Sequence, residues 1–419
     1  MKKIIFTTIG SLGDLHPIMG VAKKLQEMGH QPIIAASEFY RTYIEAADIS
    51  FHPVRPFINH EDPTIIKAVL DTKKGPEILH KNYIFPELRE SVEDLLHITE
   101  GADLIVSSVL SYYVPMVSHI SGVPWVNGIL SPISMWSGYD PPILAPVPFL
   151  GKMRFLPPAI HHFILKQLFK VSEPWAKPLK KLRQEYGMSA GLNPFWEGLF
   201  QGQKTLCFWS KHFYDKKPDW PSNAITTGFV FYDPAQEAPL KEEVSRFIFK
   251  NDSVFIFTLG STSILDPAEF LEIFYNVAKE LTVGCIITTG KRFLNEFKKR
   301  NTDKVLFVDY IPYTKSFPLV DLVIHQGGVG TTANCLKAGI PQIVLPFCMD
   351  QFDNGYRVKR LGAGEVLERK RLTKSALLEK IQNVISSKKM KEAARAISIQ
   401  MKDEDGALNA ANAIIAVIN

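Results

Sequence analysis

The stretch Val323-Ile324-His325-Gln326-Gly327-Gly328-Val329-Gly330-Thr331-Thr332 decides the fold of this 419-residue chain. Asp321 to His325 has the short apolar run of a buried strand, and Thr331 to Ala338 has the composition of a helix start. Gly327, Gly328 and Gly330 allow a tight turn between them. A helix beginning there aims unpaired N–H groups and partial positive charge at the turn, which suits an anion. With His325 and the hydroxyls of Thr331 and Thr332 as further donors, the turn reads as a cradle for a nucleoside diphosphate. Taken alone, it reads equally well as a plain strand-to-helix connection.

The next connection adds weight to the cradle. Gln342 to Leu345 reads as another buried strand, and Pro346-Phe347-Cys348-Met349-Asp350-Gln351-Phe352-Asp353-Asn354 follows it. Two successive loops then fall on one edge of one parallel sheet. The carboxylate of Asp350 beside the amide of Gln351 suits the vicinal hydroxyls of a hexose.

The same α/β rhythm extends in both directions. Val254 to Leu259, Cys285 to Thr288 and Val305 to Val308 read as strands, and Asp266, Pro267 and Glu269 spell a capping box for a helix. In the first half, strands at Ile4 to Ile9, Pro32 to Ala36, Asp103 to Val106 and Pro124 to Ile129 alternate with helices at Leu15 to Met28 and Pro115 to Ser121. Gly228 to Pro239, with Asp233-Pro234 and Ala238-Pro239, reads as a linker. The expected organisation is α/β: a Rossmann-like domain over residues 1–232, a second over 243–403, the two facing each other across a cleft, and a terminal helix over 404–419 packing back on the first. Residues 131–160, rich in Pro, Gly and aromatics, read as long loops over a binding face.

Composition excludes several classes. With 46% hydrophobic and 22% charged residues the chain can bury ample core, so disorder is excluded. A net charge of +5 without an aromatic-interleaved basic motif argues against nucleic acid. No apolar run reaches bilayer length, and the apolar start Ile4-Ile5-Phe6 is broken at once by Gly10 and Gly13. Cys207, Cys285, Cys335 and Cys348 lack paired spacing and fit buried thiols of a cytoplasmic protein.

Gly10-Ser11-Leu12-Gly13-Asp14-Leu15-His16-Pro17 follows the first strand. It lacks the third glycine of a dinucleotide fingerprint and the Gly-Lys-Ser/Thr end of a P-loop. It offers a carboxylate, Asp14, and a rival base, His16; the plain alternative is that Asp14 or Ser11 caps a helix beginning near Leu15. An aspartate with an ordinary pKa of about 3.9 must be desolvated to take a proton from an alcohol.

These motifs resemble the UDP-glycosyltransferase superfamily of GT-B glycosyltransferases, in its bacterial branch of sterol glucosyltransferases, antibiotic glycosyltransferases and the rhamnolipid rhamnosyltransferase chain. The resemblance rests on G-S-x-G-D-x-x-P at Gly10 to Pro17, H-x-G-G-x-G-T-T at His325 to Thr332 and D-Q-F-D-N at Asp350 to Asn354, and spans nearly the whole chain. Asp219-Trp220-Pro221, Thr227-Gly228-Phe229 and Leu259-Gly260-Ser261-Thr262 resemble the rhamnosyltransferase.

It implies inverting transfer of a hexose from a nucleoside diphosphate sugar to a hydroxyl of a lipophilic acceptor, with no metal and no further cofactor. Asp14 holds the place of the plant catalytic histidine. Tyr310 and Ile311 take the place of the base-stacking tryptophan, and Ser261, Thr262, Asn354 and the loop residues named above join the donor set. Ala333 replaces the plant ribose-binding glutamate, which leaves both UDP-glucose and dTDP-rhamnose open as donors. The acidic run Asp403-Glu404-Asp405 is better read as a helix start than as a metal site.

Phe149 to Arg183 carries Lys152, Arg154, Lys166, Lys170, Lys177, Lys180, Lys181 and Arg183 against one acid, Glu173, among many apolar residues. Such a segment either meets an anionic membrane as a peripheral contact, at the inner face, or packs its apolar side on its own domain. Two other functions share this organisation: a nucleotide-sugar epimerase of the same fold, and a non-catalytic sugar-nucleotide binding protein.

Overall fold

In the computed structural model, all residues are described except 60–61, 192, 194–197, 234–238 and 261–267. The chain divides into two compact units, Met1–Tyr232 with Glu404–Asn419, and Asp233–Asp403.

The first unit is built on seven parallel strands: β1 (Lys3–Thr7), β2 (Gln31–Ala36), β3 (Ser50–Pro53), β4 (Leu104–Ser108), β5 (Trp125–Ile129), β6 (Thr205–Cys207) and β7 (Ala224–Thr226). Their order is β3-β2-β1-β4-β5-β6-β7. The order therefore reverses between β1 and β4, and a doubly wound sheet opens a crevice at such a point, beyond the strand ends. Four helices matter below: α1 (Leu12–Glu27), α2 (Val114–Ser121), α3 (Pro158–Ser172) and α4 (Lys177–Glu185). α1 buries Leu15, Ile18, Met19, Val21, Ala22 and Leu25 against one sheet face, where Ala410, Ala411 and Ile414 of the C-terminal helix Gly406–Ile418 join the same core. Gly406 is required there, because a Cβ would stand 2.3 Å from the Phe229 carbonyl oxygen. Asp405 caps that helix by accepting from Leu408 N–H at 2.9 Å, and Glu404 accepts from the Ser210 hydroxyl at 2.9 Å, so two of the three acids of this run serve the helix start.

The second unit has six parallel strands: β8 (Val254–Thr258), β9 (Gly284–Thr288), β10 (Val305–Val308), β11 (Leu322–His325), β12 (Gln342–Val344) and β13 (Gly364–Val366). The order β10-β9-β8-β11-β12-β13 reverses between β8 and β11. Two further helices follow the loops of interest, α5 (Val329–Ala338) and α6 (Gln351–Arg360). The capping box read at Asp266 and Pro267 lies outside the described residues; the helix it would open spans Ala268–Ala278.

One expectation from sequence changes: the first helix begins at Leu12 rather than Leu15, because Ser11 is the cap. Residues 131–160 are largely irregular as expected, but within 131–143 Met135, Ser137, Asp140 and Ile143 are buried. An irregular segment can be buried only if its polar groups find partners. Asp219 accepts from the Ser137 hydroxyl and from Gly138 N–H, both at 2.7 Å, and Arg154 donates to Asp140 and to the Pro141 carbonyl.

Candidate active site

The loop between β11 and α5 lies at the reversal point of the second sheet. Gly327 has φ +91°, and a Cβ there would come within 2.6 Å of Val344 Cγ1, so only glycine makes this turn. Gly328 is the N-cap of α5 and contributes no side-chain cap. The first-turn N–H groups of α5 therefore lack the partner that most helices supply from their own chain. Gly330 sits in that turn with an ordinary φ, and a Cβ on it would meet nothing within 4 Å. Among the described residues nothing demands glycine at 330, whereas a ligand pressed on the helix end would.

The side chains around this turn behave differently from their sequence reading. His325 is fully buried, its Nδ1 accepting from Gly327 N–H at 3.0 Å and its Nε2 donating to Gln342 Oε1 at 2.8 Å. Burial lowers its pKa to about 4, against the opposing effect of the Gln342 bond, so the ring is neutral and both nitrogens are committed. It shapes the turn and does not present the extra donor expected of it. Thr331 and Thr332 are buried as well; the Thr331 hydroxyl lies beside that of Tyr313, and Thr332 Oγ1 is enclosed. What this turn can offer an anion is therefore backbone N–H groups.

α6 follows β12 and Asp350 is its N-cap residue. Asn354 is fully buried and donates to the Gly327 carbonyl at 3.0 Å and to Asp350 Oδ2 at 2.8 Å, which ties the two loops together. Gln351 is buried too, its Oε1 accepting from Phe347 and Cys348 N–H at 2.8 and 3.2 Å. Asp353 and Arg357 form a fully buried ion pair at 2.7 Å. Within D-Q-F-D-N, Asp350 is the half-buried polar member, beside a half-buried Phe352, and Gln351 and Asn354 work chiefly as struts. Tyr310 is 46% exposed, donates to Asp233 at 3.2 Å and lies beside the Tyr313 ring; the Ile311 side chain is entirely in the core, so it can offer a ligand only its backbone. Ser261 and Thr262 lie outside the described residues.

Sequence reasoning missed Gln326. It is 3% exposed, its Oε1 has no partner among the described residues, and its Nε2 fills the space over both Gly260 and Gly328. A long amide inside an otherwise apolar and glycine-rich run was the available signal.

In the first unit, Ser11 N–H donates to Asp14 Oδ2 at 2.8 Å, and Ser11 Oγ accepts from Gly13 N–H at 3.2 Å, closing a capping box. Gly10, with φ +147°, lies directly under the carboxylate: a Cβ would stand 2.2 Å from Asp14 Oδ2. Asp14 is therefore held in one place by its own helix start. His16 bonds Tyr43 Oη through Nε2 at 2.6 Å and meets the Tyr232 ring edge-on. Two positions along a helix are about 200° apart, so the two candidate bases leave α1 on different sides.

The two doubly wound sheets define a GT-B fold, and solved structures share it across the chain. The glycotransferase of kitacinnamycin matches with a TM-score of 0.76 at 16% identity, covering 100% of this chain and 99% of that one. The glycosyltransferase VinC, solved in complex with dTDP, matches with a TM-score of 0.71 at 20% identity, covering 99% of both. The C-terminal domain family of erythromycin biosynthesis protein CIII-like proteins matches residues 278–416. Two sterol 3-beta-glucosyltransferases of Arabidopsis thaliana are similar at 26% identity over 428 residues and 24% over 382, covering 98% and 86% of this chain. The chain spans 65% and 59% of the length of those relatives. These matches show a GT-B fold and a likeness to glycosyltransferases along nearly the whole chain.

Proposed function

We propose that the protein is an inverting glycosyltransferase that moves a hexose from a nucleoside diphosphate sugar to a hydroxyl of a lipophilic acceptor. The observation that carries this reading is the uncapped start of α5 under Gly330, at the reversal point of the second sheet. The donor diphosphate binds the backbone N–H groups of that helix end. Tyr310 stacks on the base, and Asp350 takes sugar hydroxyls. The acceptor oxygen bonds to the anomeric carbon as the bond from that carbon to the diphosphate oxygen breaks. The acceptor proton passes to Asp14, and the charge left on the diphosphate is met by the helix end. No metal enters this scheme. The sterol 3-beta-glucosyltransferase relatives support a lipophilic acceptor, and the dTDP complex of a structural neighbour supports a diphosphate donor.

We also propose a peripheral membrane contact through α3. Phe155, Phe163 and Val171 are 81%, 63% and 67% exposed, and Lys152, Lys166, Lys170 and Lys177 are exposed along the same segment. Arg154 and Lys180 are spent on Asp140 and Glu173 and take no part. Among the described residues no helix is long and apolar enough to cross a membrane.

Incubating the protein with UDP-glucose or dTDP-rhamnose against sterol, hydroxy-fatty-acid and phenolic alcohols, read by mass, tests the reading. A glycoside is expected. An epimerised free donor, or an unconsumed one across the panel, would overturn it.

A further inference from the structure

One face of the first sheet carries a polar row where a parallel sheet normally buries apolar residues. Thr7, Ser107, Asn127 and Thr205 are register partners across β1, β4, β5 and β6, and each is at most 2% exposed. The row one step earlier on the same face is Ile5, Ile105 and Trp125. Ser107 donates to Asn127 Oδ1 at 3.0 Å, and Thr7 shares a bond of 2.6 Å with Tyr113 Oη. Thr205 Oγ1 has no partner among the described residues. Buried polar groups cost stability unless they are hydrogen-bonded, a condition the other three residues of the row meet within the protein.

Ser107 and Asn127 of this row border a recess whose enclosed part is about 30 Å³, the rest being open to solvent, and whose walls also include Ser108, Trp125, Leu179 and Arg183. No Asp or Glu is among the described residues that line it. Arg183, on α4, is half-buried, donates through Nε to the Ser189 carbonyl at 3.2 Å, and has no carboxylate within ion-pair distance among the described residues. Its neighbour Lys180 is neutralised by Glu173. Burial lowers the Arg183 pKa with no acid to oppose it, the condition of a guanidinium short of a counter-charge.

We propose that this recess binds the carboxylate of an amphiphilic ligand, with Arg183 as its counter-ion, Ser107 and Asn127 as further hydrogen-bonding groups, and Leu179 and Trp125 against the adjoining alkyl chain. One unmatched guanidinium balances a single negative charge and suits the planar, two-oxygen carboxylate. A phosphate monoester would call for a second free cation, which Lys180 does not supply. Calling this ligand an acceptor rests on the glycosyltransferase reading; the binding site itself does not.

The test is calorimetry without any donor, using ω-hydroxylauric acid and its methyl ester. The acid should bind at least tenfold more tightly than the ester. Arg183→Gln should erase that preference while leaving the Kd of the ester unchanged, which also shows that the variant is folded. Arg183→Lys should keep part of the preference. Equal binding of acid and ester by the unaltered protein, or a preference that survives in Arg183→Gln, would overturn the proposal. Because no sugar nucleotide is present, a protein that binds the acid selectively yet forms no glycoside refutes the transferase reading and leaves the recess standing.

Discussion

The two units each turn a glycine loop into a helix at the point where their strand order reverses, and they finish that turn in opposite ways. In the first, Ser11 and Asp14 close a capping box, and Gly10 exists to let the Asp14 carboxylate lie against it. In the second, the N-cap is Gly328, the helix end has no side-chain cap, and a Cβ on Gly330 would meet nothing among the described residues. A helix start satisfied by its own chain has no call for an anion; one left unsatisfied does. Similar sequence grammar therefore yields a fixed carboxylate in one unit and a helix start without a side-chain cap in the other, the place proposed for the anion.

The most forceful way to break this contrast is Asp14→Asn. An asparagine oxygen can still accept from Ser11 N–H, so the cap should survive and stability should change little. If the carboxylate is the base, transfer falls by about 10²–10⁴-fold with donor binding intact. If Asp14 only caps, turnover in the variant would match the parent, and kcat measured beside donor titration separates the two.

Next in size is the pH dependence that His325 imposes on the second loop. Its folded pKa is lowered to about 4 from an ordinary 6.5. The unfolded chain thus takes up a proton first, and stability present above about pH 6.5 is lost as pH falls toward 4. The full linkage is on the order of 3 kcal/mol. His80, buried with a bond to Tyr112 and also lowered to about 4, adds to the same window. Denaturant midpoints between pH 7 and 4 should fall less steeply in His325→Gln, with His80 accounting for the remaining slope.

Much of this was readable beforehand, and the failures have a common cause. Apolar runs and glycine turns place β11, β12 and their loops, because burial and positive φ constrain residue choice locally. Which way a polar side chain points is not local. His325, Thr332 and Asn354 look like donors for a ligand, yet they bond Gln342, sit enclosed, or bond Gly327, partners set by tertiary packing. The row from Thr7 to Thr205 was missed for the same reason, since strands far apart in sequence bring it together, and so was Gln326, which packs over Gly260 of a distant loop.

A matched pair of glycine replacements sharpens the contrast further. Gly10→Ala sets a Cβ against Asp14 at a positive φ and should cost about 1–3 kcal/mol. Gly330→Ala meets nothing and removes a flexible residue from a helix, so it should raise stability by about 0.5–1 kcal/mol. Yet it should weaken binding of UDP or dTDP by roughly tenfold, about 1.4 kcal/mol, by holding phosphate off the helix end. Thermal melts with and without nucleotide read both signs. Unaltered nucleotide affinity in Gly330→Ala would remove the cradle.

The finest test exchanges the two endings. Ser11→Ala deletes the cap of α1 and should cost about 1 kcal/mol, with a severalfold loss of kcat because Asp14 loses its anchor, and no change in nucleotide affinity. Gly328→Asp does the reverse, supplying α5 with a capping carboxylate at a backbone (φ −59°, ψ 143°) that a non-glycine residue can adopt. That carboxylate should stabilise the helix by up to about 1 kcal/mol and exclude the diphosphate, since one helix end cannot serve both. The Cβ would approach Gln326 Nε2 to 3.0 Å, a flexible amide end that can shift by the few tenths of an ångström required. If nucleotide still bound Gly328→Asp at parental affinity, capping would not be what distinguishes the two units, and the diphosphate would have to be held by groups other than the start of α5.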